Sequence, residues 1–236
     1  MTKAKEQTQR RRATAAAQRR PSPAQPRPAA KPTRSRKVAP EVRRGAILEA
    51  ALAVFAERGF AAARLDDVAA RAGVAKGTLY LYFQSKEDLF EALIRAAVSP
   101  VLAQVGRIAA TPDMPPLKAL QAFFALFEKE VLGSNRKLLL RLIISEGARF
   151  PALAEIYYRE VVSQGLELMG SLARRAAQDG SFATAAPARY PQLIVAPLLV
   201  AVIWDALFAK VDPLDVAGFL RAHLEVLAGR KRKGST

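Results

Sequence analysis

"RAGVAKGTLYLYFQSKEDLF", residues 71–90, decides the fold, and it does so against its local appearance. Its centre, Thr78-Leu79-Tyr80-Leu81-Tyr82-Phe83, is aromatic-rich and uncharged, which by residue type favours a strand. No partner strand is visible nearby. The run lies between a glycine turn and a capping pair, Ser85 with Asp88, that starts a long helix. As a helix, Leu79 and Phe83 stack at i, i+4 and cover a core with Val74, while Gly77, Thr78, Leu81 and Tyr82 point the other way. Just upstream, a short helix from Leu65 to Ala72 buries Leu65, Val68, Ala69 and Ala72. Gly73 follows where a sharp turn needs tolerance of positive φ. Two short helices around a glycine turn make a helix-turn-helix. Its second helix enters a DNA major groove N-terminal end first, so its outward residues are apolar or aromatic because they face DNA.

The side chains suit that role one by one. Lys76, at the start of the second helix, reaches a guanine edge or a phosphate, and Leu81 a thymine methyl. Gly77 lets the backbone approach closely, where free N–H groups suit a phosphate. Thr78, Tyr80 and Tyr82 offer hydroxyls to phosphates, and Lys86 is placed as a phosphate clamp.

The longer stretch "GFAAARLDDVAARAGVAKGTLYLYFQSKEDLF", residues 59–90, resembles the helix-turn-helix signature of the TetR (TetR/AcrR) family of bacterial transcription regulators. The resemblance is strong over residues 41–95 and only architectural beyond. It implies an all-α chain, a three-helix DNA-binding domain followed by a helical effector-binding and dimerisation domain. It also implies a homodimer on a palindromic DNA operator, more often a repressor than an activator, and a small-molecule effector. By the same resemblance Lys76, Gly77, Thr78, Tyr80, Leu81, Tyr82 and Lys86 line the DNA surface. The chain departs from the pattern twice, with Arg64 and Ala75 where the family usually caps its two short helices with Ser or Thr. A lost cap costs about 1 kcal/mol. Arg64 compensates if it holds a phosphate, and so counts among the candidate DNA contacts.

Working outward, the spacing of Ile47, Ala51 and Phe55, with Leu48 and Leu52, predicts a first helix from about Pro40 to Arg58, ended by Gly59. The helix begun at Ser85 continues through Val98 and Leu102, with a bend or interruption expected at Pro100. After a proline-rich break at Thr111 to Pro116, five more helices are expected. They run from Leu117 to Leu132, Asn135 to Ser145, Pro151 to Asp179, Pro187 to Lys210 and Asp212 to Ala228. Residues 1–39, low in complexity and rich in Arg, Lys and Pro, read as a disordered basic arm. The expected organisation is that arm, a DNA-binding domain over 40–100, a helical domain over 110–229 and a basic tail over 230–236.

Charge supports a nucleic-acid partner. Residues 1–44 hold fourteen Lys/Arg against two acidic residues, residues 230–236 hold four more, and the rest is balanced at nineteen of each sign. The formal +16 therefore sits on the two ends, which seek polyanions. The head itself, residues 45–95, has six basic and seven acidic residues, so long-range attraction must come from the arm. The chain has no cysteine and one histidine, His223, which excludes thiolate chemistry, disulfides and multi-histidine metal sites. Neither a catalytic group, a metal nor a cofactor is called for, so an enzyme is not expected. An acid-poor, Arg/Ala-rich start is also found in organelle transit peptides, but no large apolar residue supplies their amphipathic face. The expected location is the cytoplasm of a bacterium, at the nucleoid.

In the C-terminal half, Leu193, Pro197, Val200, Trp204 and Leu207 share one helical stripe, and Phe219, Leu220, Leu224 and Leu227 another. Two such stripes suit a four-helix dimer interface, which two half-sites about 34–36 Å apart require. Phe123, Phe124, Phe127, Tyr157 and Met169 are candidates to line a pocket for an apolar effector, against the plainer alternative of core. A sequence-indifferent DNA-coating protein, working through its tails, is the rival reading. A footprint confined to one palindrome separates the two.

Overall fold

The residues of the opening stretch form helices, and the whole chain described here is helical: a computed structural model describes residues 39–229, and among them there is no strand. The proposed arm and the tail over 230–236 lie outside the described residues, apart from Ala39.

Three helices build the head: α1 (Pro40–Ala62), α2 (Leu65–Arg71) and α3 (Lys76–Tyr80). The i, i+4, i+8 series Ile47, Ala51 and Phe55 is fully buried along α1. As expected, the regular helix ends at Gly59. That residue takes φ +72°, breaks the axis, and one further turn follows to Ala62. Leu79 and Phe83 are both buried, which turns Tyr80 and Leu81 outward.

The long α4 (Lys86–Ala110) starts where Ser85 Oγ accepts from Asp88 N at 3.0 Å while Asp88 accepts from Gln84 N at 3.0 Å. It has the length and apolarity of a membrane span, but that apolarity is accounted for by a packed face, with Leu89, Phe90, Leu93, Ile94 and Val105 all buried. Of the bend or interruption expected at Pro100, the interruption does not occur. Pro100 faces solvent, and Arg136 Nε donates to Ala97 O at 2.7 Å on the turn that the proline loosens.

The C-terminal helices are α5 (Pro116–Phe127), α6 (Arg136–Glu146), α7 (Pro151–Tyr157), α8 (Ser163–Gln178), the short α9 (Ala186–Arg189), α10 (Gln192–Leu207) and α11 (Val216–Ala228). Two single wide turns of π-helix occur, Glu128–Leu132 after α5 and Tyr158–Val162 between α7 and α8. The expected helix Pro151 to Asp179 is thus divided by a bulge. The expected helix from Pro187 is broken at Tyr190–Pro191, and the last helix starts four residues later than Asp212.

Two cores result. The first unites the head with α6 and α7: Phe55, Phe60 and Phe90 meet at ring separations of 5.4–6.2 Å, and Leu139, Leu142, Leu153 and Ile156 close over them. The second joins the far end of α4 to α5, α8, α10 and α11 through Leu120, Phe124, Met169, Leu172, Ile194 and Leu220. The head is therefore seated on the C-terminal helices rather than strung from them.

Candidate nucleic-acid interface

Burying Leu79 completely leaves the adjacent Leu81 85% exposed and Tyr80 43% exposed, an apolar and aromatic tip with no partner inside the chain. Lys76 and Gly77 are exposed at the N-terminal end of α3, Thr78 is half-buried, and Tyr82 packs partly on the head core beside Phe83. Neither short helix has a side-chain cap, at Arg64 or at Ala75.

Arg64, Tyr80 and Lys86 come together around one surface concavity with Asp66 on its rim. Lys86 in it and Lys76 beside it are already engaged. Lys76 Nζ donates to Asp66 at 2.8 Å, which raises the lysine's pKa through that hydrogen bond and the carboxylate's charge. Both groups are exposed and solvent screens the pair, so a phosphate can replace the carboxylate. Lys86 differs. Its Nζ donates to Phe60 O at 2.8 Å and Ala61 O at 3.1 Å and lies 4.8 Å from the Phe60 ring centroid. It pins the last turn of α1 to the start of α4, so the ammonium placed by sequence as a phosphate clamp is first a structural one.

The same turn is held from the other side. Glu146, at the end of α6, accepts from Phe60 N at 3.0 Å and Ala61 N at 3.3 Å. The fit requires glycine at 59, because a Cβ there would stand 2.2 Å from Glu146 Oε1. In the sequence, Arg141, Glu146 and Arg149 are open to pairing with an effector or with each other; in the structure Arg141 pairs with Asp205 at 2.7 Å and Arg149 lies 5.5 Å from the Phe150 ring centroid. No local signal could have found the Glu146 contact, which joins residues 86 positions apart. A second tie joins α4 to the π-turn after α7. Glu160 accepts from Arg95 Nε at 2.9 Å and Nη2 at 3.0 Å and from Arg159 Nε at 2.9 Å, and these partners hold its carboxyl below the ordinary value.

The C-terminal domain holds a half-open cavity of about 220 Å³ between α4, α5, α6, α7, α8 and α10. Of the five candidates, Phe123, Phe127 and Tyr157 line it. Phe124 and Met169 do not: both are buried in the second core, where Phe124 lies 6.3 Å from the His223 ring. The candidate interface residues also divide. Leu193, Val200 and Leu207 are exposed along α10 and Trp204 is half-buried, its indole donating to Asp212 O at 2.6 Å. Pro197 and Leu220 are buried in the protomer's own core, and Phe219, Leu224 and Leu227 pack against that core. Periodicity gives an apolar side but not what covers it, and on α11 the protomer's own core covers part of the stripe. Ile203 is also exposed on α10.

Fold and site together define a helix-turn-helix head on a helical domain with a half-open apolar pocket. Residues 47–93 match the family described as bacterial regulatory proteins, tetR family. It is 36% identical over 110 residues to the HTH-type transcriptional activator FasR of Mycolicibacterium smegmatis, covering 45% of this chain and 50% of that protein. It is 41% identical over 87 residues to the HTH-type transcriptional repressor KstR2 of Mycobacterium tuberculosis, covering 36% of this chain and 43% of that protein. The match thus spans about half the length of these relatives. The fold as a whole is similar to the FadR regulator of Bacillus subtilis solved in complex with stearoyl-CoA, with a TM-score of 0.65 and 22% identity over 78% of this chain and 97% of that one.

Proposed function

We propose that the protein is a dimeric transcription regulator that reads a palindromic operator through α3 and releases or grips it in response to a small apolar effector. One observation carries this reading: α3 buries Leu79 while presenting Lys76, Tyr80 and Leu81 to solvent at the tip of a helix-turn-helix. Arg64, Gly77, Thr78 and Tyr82 complete the contact surface, and Lys86 supports it from behind. A second copy joins through the exposed face of α10, which supplies the two heads that a palindrome needs. The effector occupies the cavity between α4, α5, α6 and α10. Such a protein works in the cytoplasm, on bacterial DNA.

The route from effector to DNA runs along α6. Arg136, Leu139 and Leu140 at one end line the cavity, and Glu146 at the other grips the last turn of α1, two residues before the link to α2. A shift of α6 moves both heads, and a coupling of about 1–3 kcal/mol suffices to switch occupancy. The test is selection of bound duplexes from a random pool at physiological salt, followed by footprinting. Enrichment of one palindrome with protection on both half-sites is expected. Uniform protection of any duplex would favour a DNA-coating protein instead.

A further inference from the structure

The chemistry of the cavity narrows the effector's class, an inference that rests on the effector-binding reading above. Eighteen residues line the space, and among them only Arg136 and Tyr157 carry a polar side chain. Arg136 is largely committed: Nε donates to Ala97 O at 2.7 Å, and Nη1 donates to Glu130 O and Glu130 Oε2 at 3.1 Å each. Its charge is already met by Glu130, so an entering carboxylate would stand against that residue across the same guanidinium. No acidic residue lines the cavity, so an ammonium would be buried without a counter-charge.

Tyr157 is different. It is 9% exposed and lines the pocket, and its hydroxyl is not among the buried atoms left without a partner. Burial pushes its pKa well above the ordinary phenol value, which keeps it a neutral donor. A ligand that covers this hydroxyl without offering it a partner leaves it unpaired, a cost that a ligand oxygen avoids. An apolar cavity of about 150 Å³ takes benzene, so this half-open one of about 220 Å³ holds roughly nine non-hydrogen atoms of a ligand. We infer that the effector is an uncharged, mainly hydrocarbon molecule, ending in one neutral oxygen that pairs with the Tyr157 hydroxyl.

Gly165, on the α8 wall, supplies the control. A Cβ there meets nothing within 4 Å, so a larger side chain takes up open space without striking the backbone. The experiment uses the full chain with 1-octanol, octanoate and octylammonium at pH 7, three probes of one shape and three charges. Thermal unfolding and release of a selected duplex are both read. 1-Octanol should raise the melting temperature and change duplex affinity, with octanoate and octylammonium at least roughly tenfold weaker. Gly165→Leu should abolish the 1-octanol response in thermal unfolding, and Tyr157→Phe should weaken it by about fivefold to tenfold. A response to octanoate or stearoyl-CoA equal to that of 1-octanol overturns the inference. So does a 1-octanol response that survives in Gly165→Leu, or no response at all. Because the unfolding arm needs no DNA, failure of duplex recognition in the ligand-free protein would count against the regulator reading alone.

Discussion

Ala75 precedes α3 with extended backbone, φ −64° and ψ 145°, and no side chain caps the helix it starts. The backbone is already in the conformation that a capping serine uses, so Ala75→Ser adds an acceptor for the first-turn N–H groups without rearrangement. The substitution should raise stability by about 1 kcal/mol and the melting temperature by roughly 2–4 °C for a chain of this size, measured by calorimetry. An unchanged or lower value would show that the first-turn donors are already satisfied. At the other end of the molecule, His223 Nε2 lies 2.9 Å from Leu193 O, where burial holds the imidazole below its ordinary pKa and the carbonyl offsets this in part. The sign follows from the depressed value. The unfolded chain takes up the proton first, so stability is full above the unfolded pKa of about 6.5 and falls as pH drops below it. His223→Gln should flatten the decline of melting temperature between about pH 7 and pH 5, leaving the loss below about pH 4.5, where carboxylates such as Glu160 are protonated.

At the scale of elements, the junction between α1 and α2 is one turn gripped on both polarities. Glu146 takes its N–H groups and Lys86 its carbonyls. That arrangement explains a glycine at positive φ between the helix and its last turn, since only glycine adopts φ +72° cheaply and leaves room for the carboxylate. Glu146→Gln keeps one acceptor and adds a donor facing backbone N–H groups. It should cost roughly 1–3 kcal/mol and speed amide exchange at Phe60 and Ala61 while α3 stays protected. If those two amides exchange as in the parent protein, the grip does not hold the turn. Gly59→Ala should lower the melting temperature further, because it adds backbone strain to the clash.

For the whole molecule, the unpartnered surface and the charge balance both concern assembly. Leu193, Val200, Ile203 and Leu207 leave α10 with an exposed apolar face, Leu207 at 65%. Leu207→Asp should give a monomer in sedimentation and weaken binding to a palindrome by roughly a hundredfold, since one head loses the help of the other. A dimer that survives would place the interface elsewhere. The head carries six basic residues against seven acidic ones between 45 and 95, whereas residues 1–44 carry fourteen basic residues. Deleting residues 1–38 should therefore weaken DNA binding and flatten its dependence on salt, because fewer counterions are released. Equal affinity and slope in the shortened chain would remove the arm from the interface.

Sequence alone determined the helical class, the helix-turn-helix and the outward set on α3. Those features depend on neighbours within a turn or two, and i, i+4 spacing with glycine punctuation records them directly. Tertiary structure decided which apolar side is buried by what. Phe124, Met169, Pro197 and Leu220 carry the same apolar signal as cavity or interface residues, and only packing separates them. It also decided that Lys86 serves a backbone turn and that Glu146 reaches Phe60. A charge in sequence states what it can bind but not which partner, and a partner 86 residues away is chosen by the fold.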